Sequence, residues 1–391
     1  VTKGSLGPVM APCRIEVAPL TLFIGRQGTG KSLLAQMLYF FRGLPGLVEY
    51  ELATNPDAAE LNASALAGRL VDGLRSSKRR FANLTKPSAA IKWEGEVSSG
   101  VGSAALRKLG FNAQYSTRQI QPGVPLRKWI DELKQPRKRK LTALFVPTER
   151  LFYSLALGPT SLSVIRAPLI LQVFAHWMDI AGGVQDGWEE GPDTLEGRWV
   201  RDRLRAELGG EAYRKGSRWM WAYGHAGRSG SIELDLASSG QRANWPLHLL
   251  PQVLFTLRRE KQLAEHFTLY VEEPEIHLHP SAERAVIDVL AYLVHHGIRV
   301  VITTHSLTVL YALNNAVLAS KVGAKRASDV VAPELMLQSD QVAAYHLRSD
   351  GTVESLKDRE SGLLDERALG EVSDDLAAQM NQLYLLGSER E

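Results

Sequence analysis

The sequence of 391 residues contains a single cysteine, Cys13. That excludes an internal disulfide framework and any cysteine-built zinc site, and it fits a reducing compartment. Long apolar runs are lacking as well: none approaches the roughly 20 residues needed to span a bilayer, and no secretory signal opens the chain. A soluble, cytoplasmic protein with no membrane contact is expected. Charge of one sign does not dominate, because 46 Lys and Arg stand against 43 Asp and Glu. This mild basic balance permits contact with nucleic acid without requiring it. No internal repeat and no long low-complexity linker divides the chain, so one interrupted domain over 1–391 is expected.

What is present begins with Gly25-Arg-Gln-Gly-Thr-Gly-Lys-Ser32, which directly follows the apolar run Leu20-Thr-Leu-Phe-Ile24. Gly25, Gly28 and Gly30 let the backbone turn its N–H groups inward, and Gln27 and Thr29 complete the loop. With the positive end of the next helix, those donors form a nest for a β-phosphate. Lys31 would reach the β- and γ-phosphates, and the Ser32 hydroxyl would ligate magnesium. A Gly-rich turn that merely happens to precede Lys-Ser is the plainer alternative, but strand before and helix after favour the phosphate loop. The helix is expected over 31–42, and residues 43–90 look irregular, with a Gly/Pro turn.

The loop demands partners. Phe267-Thr-Leu-Tyr-Val-Glu-Glu-Pro274 is an apolar strand that empties into two carboxylates, at the edge where open α/β sheets bind ligands. Glu272 would hold the metal and Glu273 would polarise an attacking water, although two acids at a strand end can also be solvated. His305 follows the strand Arg299 to Thr304 in the next crossover unit. Its strand should neighbour that of Glu273 and bring an imidazole near the γ-phosphate, where a capping or packing histidine is the ordinary alternative. Ala237-Ser-Ser-Gly-Gln-Arg242 opens a helix and offers a second anion site through Ser239, Gly240 and Gln241, though the same residues make a common turn and cap. This site is expected to reach a nucleotide held by another copy, not its own Lys31.

Together these residues resemble the ATP-binding cassette superfamily: Walker A at 25–32, a signature-like Ser238-Ser-Gly-Gln241, Walker B with Glu272 and Glu273, and a switch His305. Pro147-Thr-Glu-Arg150 and Glu272-Glu-Pro-Glu-Ile-His-Leu-His-Pro280 look like the branch of AAA family ATPases related to RecF, the SMC and Rad50 heads and the overcoming-lysogenisation-defect nucleases. Glu272 stands where many relatives carry Asp, and the signature lacks a leading Leu and one Gly. The resemblance implies an α/β P-loop NTPase, an ABC-type ATPase head with an antiparallel β lobe at 43–140, an inserted helical lobe at 155–230 and a C-terminal extension at 335–391. It implies ATP and Mg²⁺ as cofactors, catalysis by Lys31, Glu273 and His305, and a homodimer or higher oligomer closed head to tail around ATP. A separately encoded effector, such as a nuclease or other toxin, in DNA maintenance or anti-phage defence would be its partner. A transporter's nucleotide-binding subunit and a non-hydrolysing scaffold are the competing classes.

Other features stay open at this level. Gln114 and Gln119 are candidates for the magnesium-contacting glutamine, and Arg150 could serve the nucleotide, its sheet edge or an ion pair. His277 and His279 fit a dimer loop better than a zinc site. Basic clusters at 78–80, 137–140 and 214–218, the last beside Trp219 and Trp221, could contact phosphodiesters or be solvated loops.

Overall fold

In the computed structural model of the chain, the described residues are 1–74, 88–97, 105–114, 119–135, 139–151, 153, 167–189, 191–216, 218–225, 228–366 and 378–383. A short hairpin of β1 (Ser5–Leu6) and β2 (Val9–Met10) precedes β3 (Leu20–Ile24), whose five residues are all buried. Such a continuous apolar run marks a strand covered on both faces. It joins β7 (Leu141–Val146), β11 (Leu263–Glu272), β12 (Arg299–Thr304), β13 (Val342–Leu347) and β14 (Val353–Ser355) in one sheet of order β14-β13-β3-β12-β11-β7. Every pairing is parallel except that of β13 with β14. The strands carrying the P-loop, His305 and the two carboxylates are therefore adjacent.

Side-chain alternation along these strands divides the core into two layers. Leu22, Leu269, Val271, Val300 and Ile302 face one cluster. Phe23, Phe145, Tyr270 and Val301 face the other. The first layer is covered by α4 (Leu169–Asp186), α5 (Leu195–Leu208), α6 (Ser239–Arg259), α7 (Pro280–His295) and α8 (Leu307–Val322). The second is covered by α1 (Lys31–Thr54), α2 (Ala63–Gly73) and α3 (Val124–Lys134), with an antiparallel sheet of β4 (Ser88–Val97), β5 (Ala105–Gln114) and β6 (Gln119–Pro122). A second antiparallel sheet, β8 (Gly210–Lys215), β9 (Arg218–His225) and β10 (Arg228–Glu233), follows α5. A short helix, α9 (Ala324–Ala327), follows α8.

The α/β fold with its antiparallel hairpins is as expected, and several boundaries differ. Helix α1 runs to Thr54, so the Gly43/Pro45 segment is helical and not a turn. Gly43 makes room for the Tyr39 ring, which would stand 2.6 Å from an added Cβ. Burial of Leu44, Leu47 and Val48 outweighs the hydrogen bond that Pro45 cannot donate. Residues 234–236 form a 3-10 turn, and α6 begins at Ser239, within the stretch 237–242 expected to open a helix. The tail does more than append two strands: β13 pairs in parallel with β3, Val342 beside Leu20, and so sits next to the P-loop strand. Of the expected final helix, 378–383 are helical and exposed at every residue.

Candidate active site

The P-loop leaves the C-terminal end of β3 and runs into α1. Gly30 sits at φ 99°, a left-handed conformation, and a Cβ there would lie 2.8 Å from Val9 Cγ2, so the β1–β2 hairpin packs directly on it. Gly25 is likewise closed against the backbone carbonyl of Leu347 at the end of β13. No side chain caps α1, so its first-turn N–H groups remain available at the mouth of the loop. The Thr29 hydroxyl donates to Arg26 O at 2.8 Å and fixes the turn, while Arg26, Gln27 and Gly28 are exposed. Lys31 is only 5% exposed and donates to Gly25 O at 2.9 Å and Arg26 O at 3.0 Å. Burial pushes its ammonium down to about 8, against the pull of Glu273 and Glu275.

Three groups of the expected site meet. His305 Nδ1 lies 3.5 Å from Lys31 Nζ, and its Nε2 lies 3.2 Å from Glu273 Oε1. With a neutral imidazole, Nε2–H donates to Glu273 and Nδ1 accepts from Lys31. The hydrogen bond from His305, aided by the Lys31 and Arg150 cations, holds the Glu273 carboxyl below the usual carboxylate range. Glu273 itself has φ 44°, a left-handed conformation that costs about 1–3 kcal/mol in a non-glycine residue. Its N–H is held by Thr303 O at 2.9 Å, so the turn that aims its carboxylate is tied to β12. Glu275, a residue the sequence reasoning assigned no role, accepts from the His305 N–H at 2.8 Å and from the Thr304 hydroxyl at 2.7 Å. It orients the histidine loop without touching the P-loop.

Glu272 is 2% exposed and turns the other way. Its Oε1 accepts from Gln36 Nε2 at 3.3 Å and its Oε2 from the Thr148 N–H at 3.1 Å. Gln36 lies one turn beyond Ser32 on the same face of α1, so hydroxyl, carboxylate and amide share one side of the helix. Gln36 Oε1 is buried without a partner. Neutral and anionic oxygens with an orphaned acceptor fit a hard divalent cation such as Mg²⁺. Among the described residues no three His, Cys, Asp or Glu side chains converge on a metal position. His279 instead caps α7, accepting from the Ser281 N–H at 3.3 Å, and His277 is held at φ 59°. Gln114 and Gln119 face one another across β5 and β6. The glutamine that reaches Glu272 is Gln36, whose signal was a lone amide in a helix turn that is otherwise apolar.

Arg150 is fully buried, and none of its hydrogen-bond acceptors is a carboxylate. It donates to Ala243 O (2.7 Å), Pro147 O (3.2 Å), Glu272 O (2.7 Å), Glu273 O (2.8 Å) and Asn244 Oδ1 (3.3 Å). Burial pushes its guanidinium down to about 10, and the nearby Glu275, Glu272, Glu273 and Glu149 oppose that. It therefore serves the sheet edge, pinning the backbone of both carboxylates to α6. Asn244 adds bonds to Gly240 O and Ile276 O, and Gly240 lacks a Cβ that would press on His277 O.

The signature-like turn stands apart from its own P-loop: no hydrogen bond joins Ser239, Gly240 or Gln241 to residues 25–32 among the described residues. Ser238 caps α6, accepting from the Gln241 N–H at 3.3 Å. The Gln241 amide is occupied by a bond from the Ser238 N–H and by its own bond to Leu208 O at 3.0 Å. Ser238 and Ser239 are exposed and Gly240 is half-buried. Of the basic clusters, 78–80, 137 and 138 lie outside the described residues. In the third, Arg214 pairs with Asp186 at 2.6 Å and Arg218 with Glu233 at 2.5 Å. Trp221 is buried, and Trp219 is half-buried and packs on Trp245.

Residues 215–310 match the family model described as the AAA ATPase domain. Over that stretch the chain is similar to the AAA ATPase domain family. The matched stretch holds the signature-like turn, both carboxylates and His305, while the P-loop lies outside it. No curated protein matches the sequence. Among solved structures, the SMC head bound to the C-winged helix domain of ScpA is similar at 12% identity and a TM-score of 0.43, covering 88% of this chain and 91% of that one. The SMC head domain from Thermotoga maritima gives 13%, 0.35, 76% and 85% in the same order. The Pyrococcus furiosus Smc head domain with an extended coiled coil, bound to the C-terminal domain of ScpA, gives 10%, 0.40, 95% and 97%. Among the described residues no helix is long and apolar enough to cross a membrane.

Proposed function

We propose that this ATPase domain binds and hydrolyses ATP with Mg²⁺ between two copies of the chain arranged head to tail, and that closure around ATP regulates a separately encoded effector in DNA maintenance or anti-phage defence. The observation that carries the reading is the contact series Lys31–His305–Glu273, drawn from three adjacent strand ends beside a P-loop. Lys31 exchanges its two loop carbonyls for phosphate oxygens. Glu273, kept ionised by its neighbours, orients the attacking water, and His305 senses the γ-phosphate. Ser32 and Glu272 would hold Mg²⁺, which would supply charge neutralisation on the phosphates. Exposed Ser239, beside Gly240 at the start of α6, supports the second half of the proposal, since it lies open to another copy. The chain works as one interrupted domain in this reading.

Phosphate release by wild type and Glu273→Gln tests the hydrolytic half. Turnover in wild type and its loss in the variant are expected, and absence of turnover in both would leave only an ATP-dependent scaffold. Light scattering with ATP tests the dimer: Glu273→Gln should double in mass, and Ser239→Arg should stay monomeric. Monomer in both overturns the head-to-tail arrangement, and co-purification with a membrane permease would favour a transporter subunit instead.

A further inference from the structure

A cavity of about 1340 Å³ lies away from the P-loop, between α1, the β4–β5–β6 sheet, the segment around Cys13, alternate residues of β11 from His266 to Tyr270 and the first residue of β12. That volume exceeds what a small ligand needs. Arg299 and Thr268 in it lie at the N-terminal end of the β11–β12 pairing and Tyr270 in its middle, on the face toward α1, whereas Lys31, Glu273 and His305 sit at the C-terminal edge. Arg42, at the cavity, is three turns of α1 beyond Lys31, about 17 Å at 1.5 Å per residue. No mononucleotide reaches both places.

The charges in this cavity do not balance. Three carboxylates line it: Glu16 pairs with Arg14 at 3.0 Å and Glu94 with Lys108 at 3.4 Å, while Glu96 lies 3.1 Å from His266. Arg42, Lys92 and Arg299 make no ion pair among the described residues, although the Glu96 carboxylate attracts Arg42. Arg42 is 7% exposed and donates only to carbonyls, those of Glu96 and, at 2.6 Å, His266. Arg299 is half-buried and makes no ion pair or side-chain hydrogen bond among the described residues. Burial pushes the Arg42 guanidinium down and repulsion from Arg299 adds to that, while Tyr270 and Glu96 oppose it. Tyr270 lines the same floor, is 3% exposed, and its hydroxyl has no hydrogen-bond partner among the described residues. Two guanidiniums and an unpartnered phenol hydroxyl lining one cavity are matched by an oxyanion, which accepts from all three and offsets their excess positive charge.

The walls above that floor are flat and apolar. Trp93 stacks on Phe41 with centroids 5.8 Å apart and an interplanar angle of 13°. Trp93 is half-buried, so part of its ring stays accessible, and Met37 and Leu38 continue the surface. An anion-binding floor beside an indole wall suits a ligand that carries a phosphate at one end and a planar ring at the other. The geometry points to a second ligand site that takes a nucleoside monophosphate, its phosphate on Arg299, Arg42 and Tyr270 and its base against Trp93.

Calorimetric titration of the full chain with AMP, GMP, CMP and UMP tests this, using wild type, Lys31→Ala, Arg299→Gln and Trp93→Leu. At least one monophosphate is expected to bind wild type and Lys31→Ala alike and to lose tenfold or more in affinity in each of the other two, with ATP binding unchanged in both. No binding to wild type up to millimolar concentration would overturn the site. So would binding that disappears in Lys31→Ala and persists in Arg299→Gln, since the ligand then sits in the P-loop. If Arg299→Gln does not fold, Trp93→Leu decides, and unchanged affinity there removes the base contact. The P-loop assignment is judged by ATP binding to Lys31→Ala, so the two readings fail separately.

Discussion

The guanidinium of Arg150 donates to the backbone carbonyl of Glu273 at 2.8 Å, and the same side chain bonds Ala243 O and Asn244 on α6. One buried residue thus fastens the turn that aims the Glu273 carboxylate to the helix that carries the signature-like turn. Such a tie is a means by which movement of α6 would reach Glu273.

Removing that tie is expected to be severe. Arg150→Ala leaves several buried carbonyls unpaired and should lower stability by about 3–5 kcal/mol in urea unfolding, and Arg150→Lys, which cannot fork across the same acceptors, should recover less than half. A loss under 1 kcal/mol for Arg150→Ala would show that the network is slack.

His305→Ala should reduce kcat by about 10²-fold while leaving the KM for ATP within a few fold, because its partner is a group that acts in the transition state. Steady-state phosphate release measures both constants. A KM effect alone would make His305 a nucleotide-binding residue.

Gln36→Leu separates metal from fold. It should raise the Mg²⁺ concentration for half-maximal turnover by about tenfold, the usual consequence of losing an outer partner of a metal ligand. The unfolding midpoint should not fall, because the orphaned Oε1 leaves with the amide. A lower midpoint with unchanged Mg²⁺ dependence would make Gln36 a packing residue.

His248 predicts an acid limb in stability. It is 2% exposed within α6, and burial pushes its imidazole down to about 4, against Glu211 and the hydrogen bond to Arg201 O. The folded state keeps it neutral where the unfolded chain protonates near the ordinary value of 6.5. Its contribution is therefore fully present above pH 6.5 and is lost as pH falls toward 4, about 3 kcal/mol in all. Urea unfolding at pH 7.5 and 4.5 should show a smaller acid loss in His248→Gln than in wild type, and equal losses would refute this assignment.

Much of the site was legible because its chemistry is local. Three glycines before Lys31-Ser32 have to follow a strand for their left-handed turns to matter, and Leu20 to Ile24 supplied that strand in the sequence itself. Two acids after Phe267 to Val271, and His305 after Arg299 to Thr304, read in the same way, since a parallel strand always delivers its last residue to one edge. Gln36 and Glu275 were not legible, because each is defined by a partner more than 25 residues away. Helix α1 was misjudged at Pro45 because a local penalty was weighed without the burial that offsets it.

By itself the sequence determined which residues can turn, ionise or lie flat within one strand or helix: the P-loop, the paired carboxylates, the histidine at a strand end. Only the tertiary structure decided which of them meet. It set β13 beside β3, ran Arg150 between the backbone of Glu272 and Glu273 and α6, and brought Arg42, Arg299 and Tyr270 to one cavity. Backbone conformation is fixed by a few neighbouring residues, whereas a hydrogen bond or an uncompensated charge belongs to whichever distant segments the sheet order brings together.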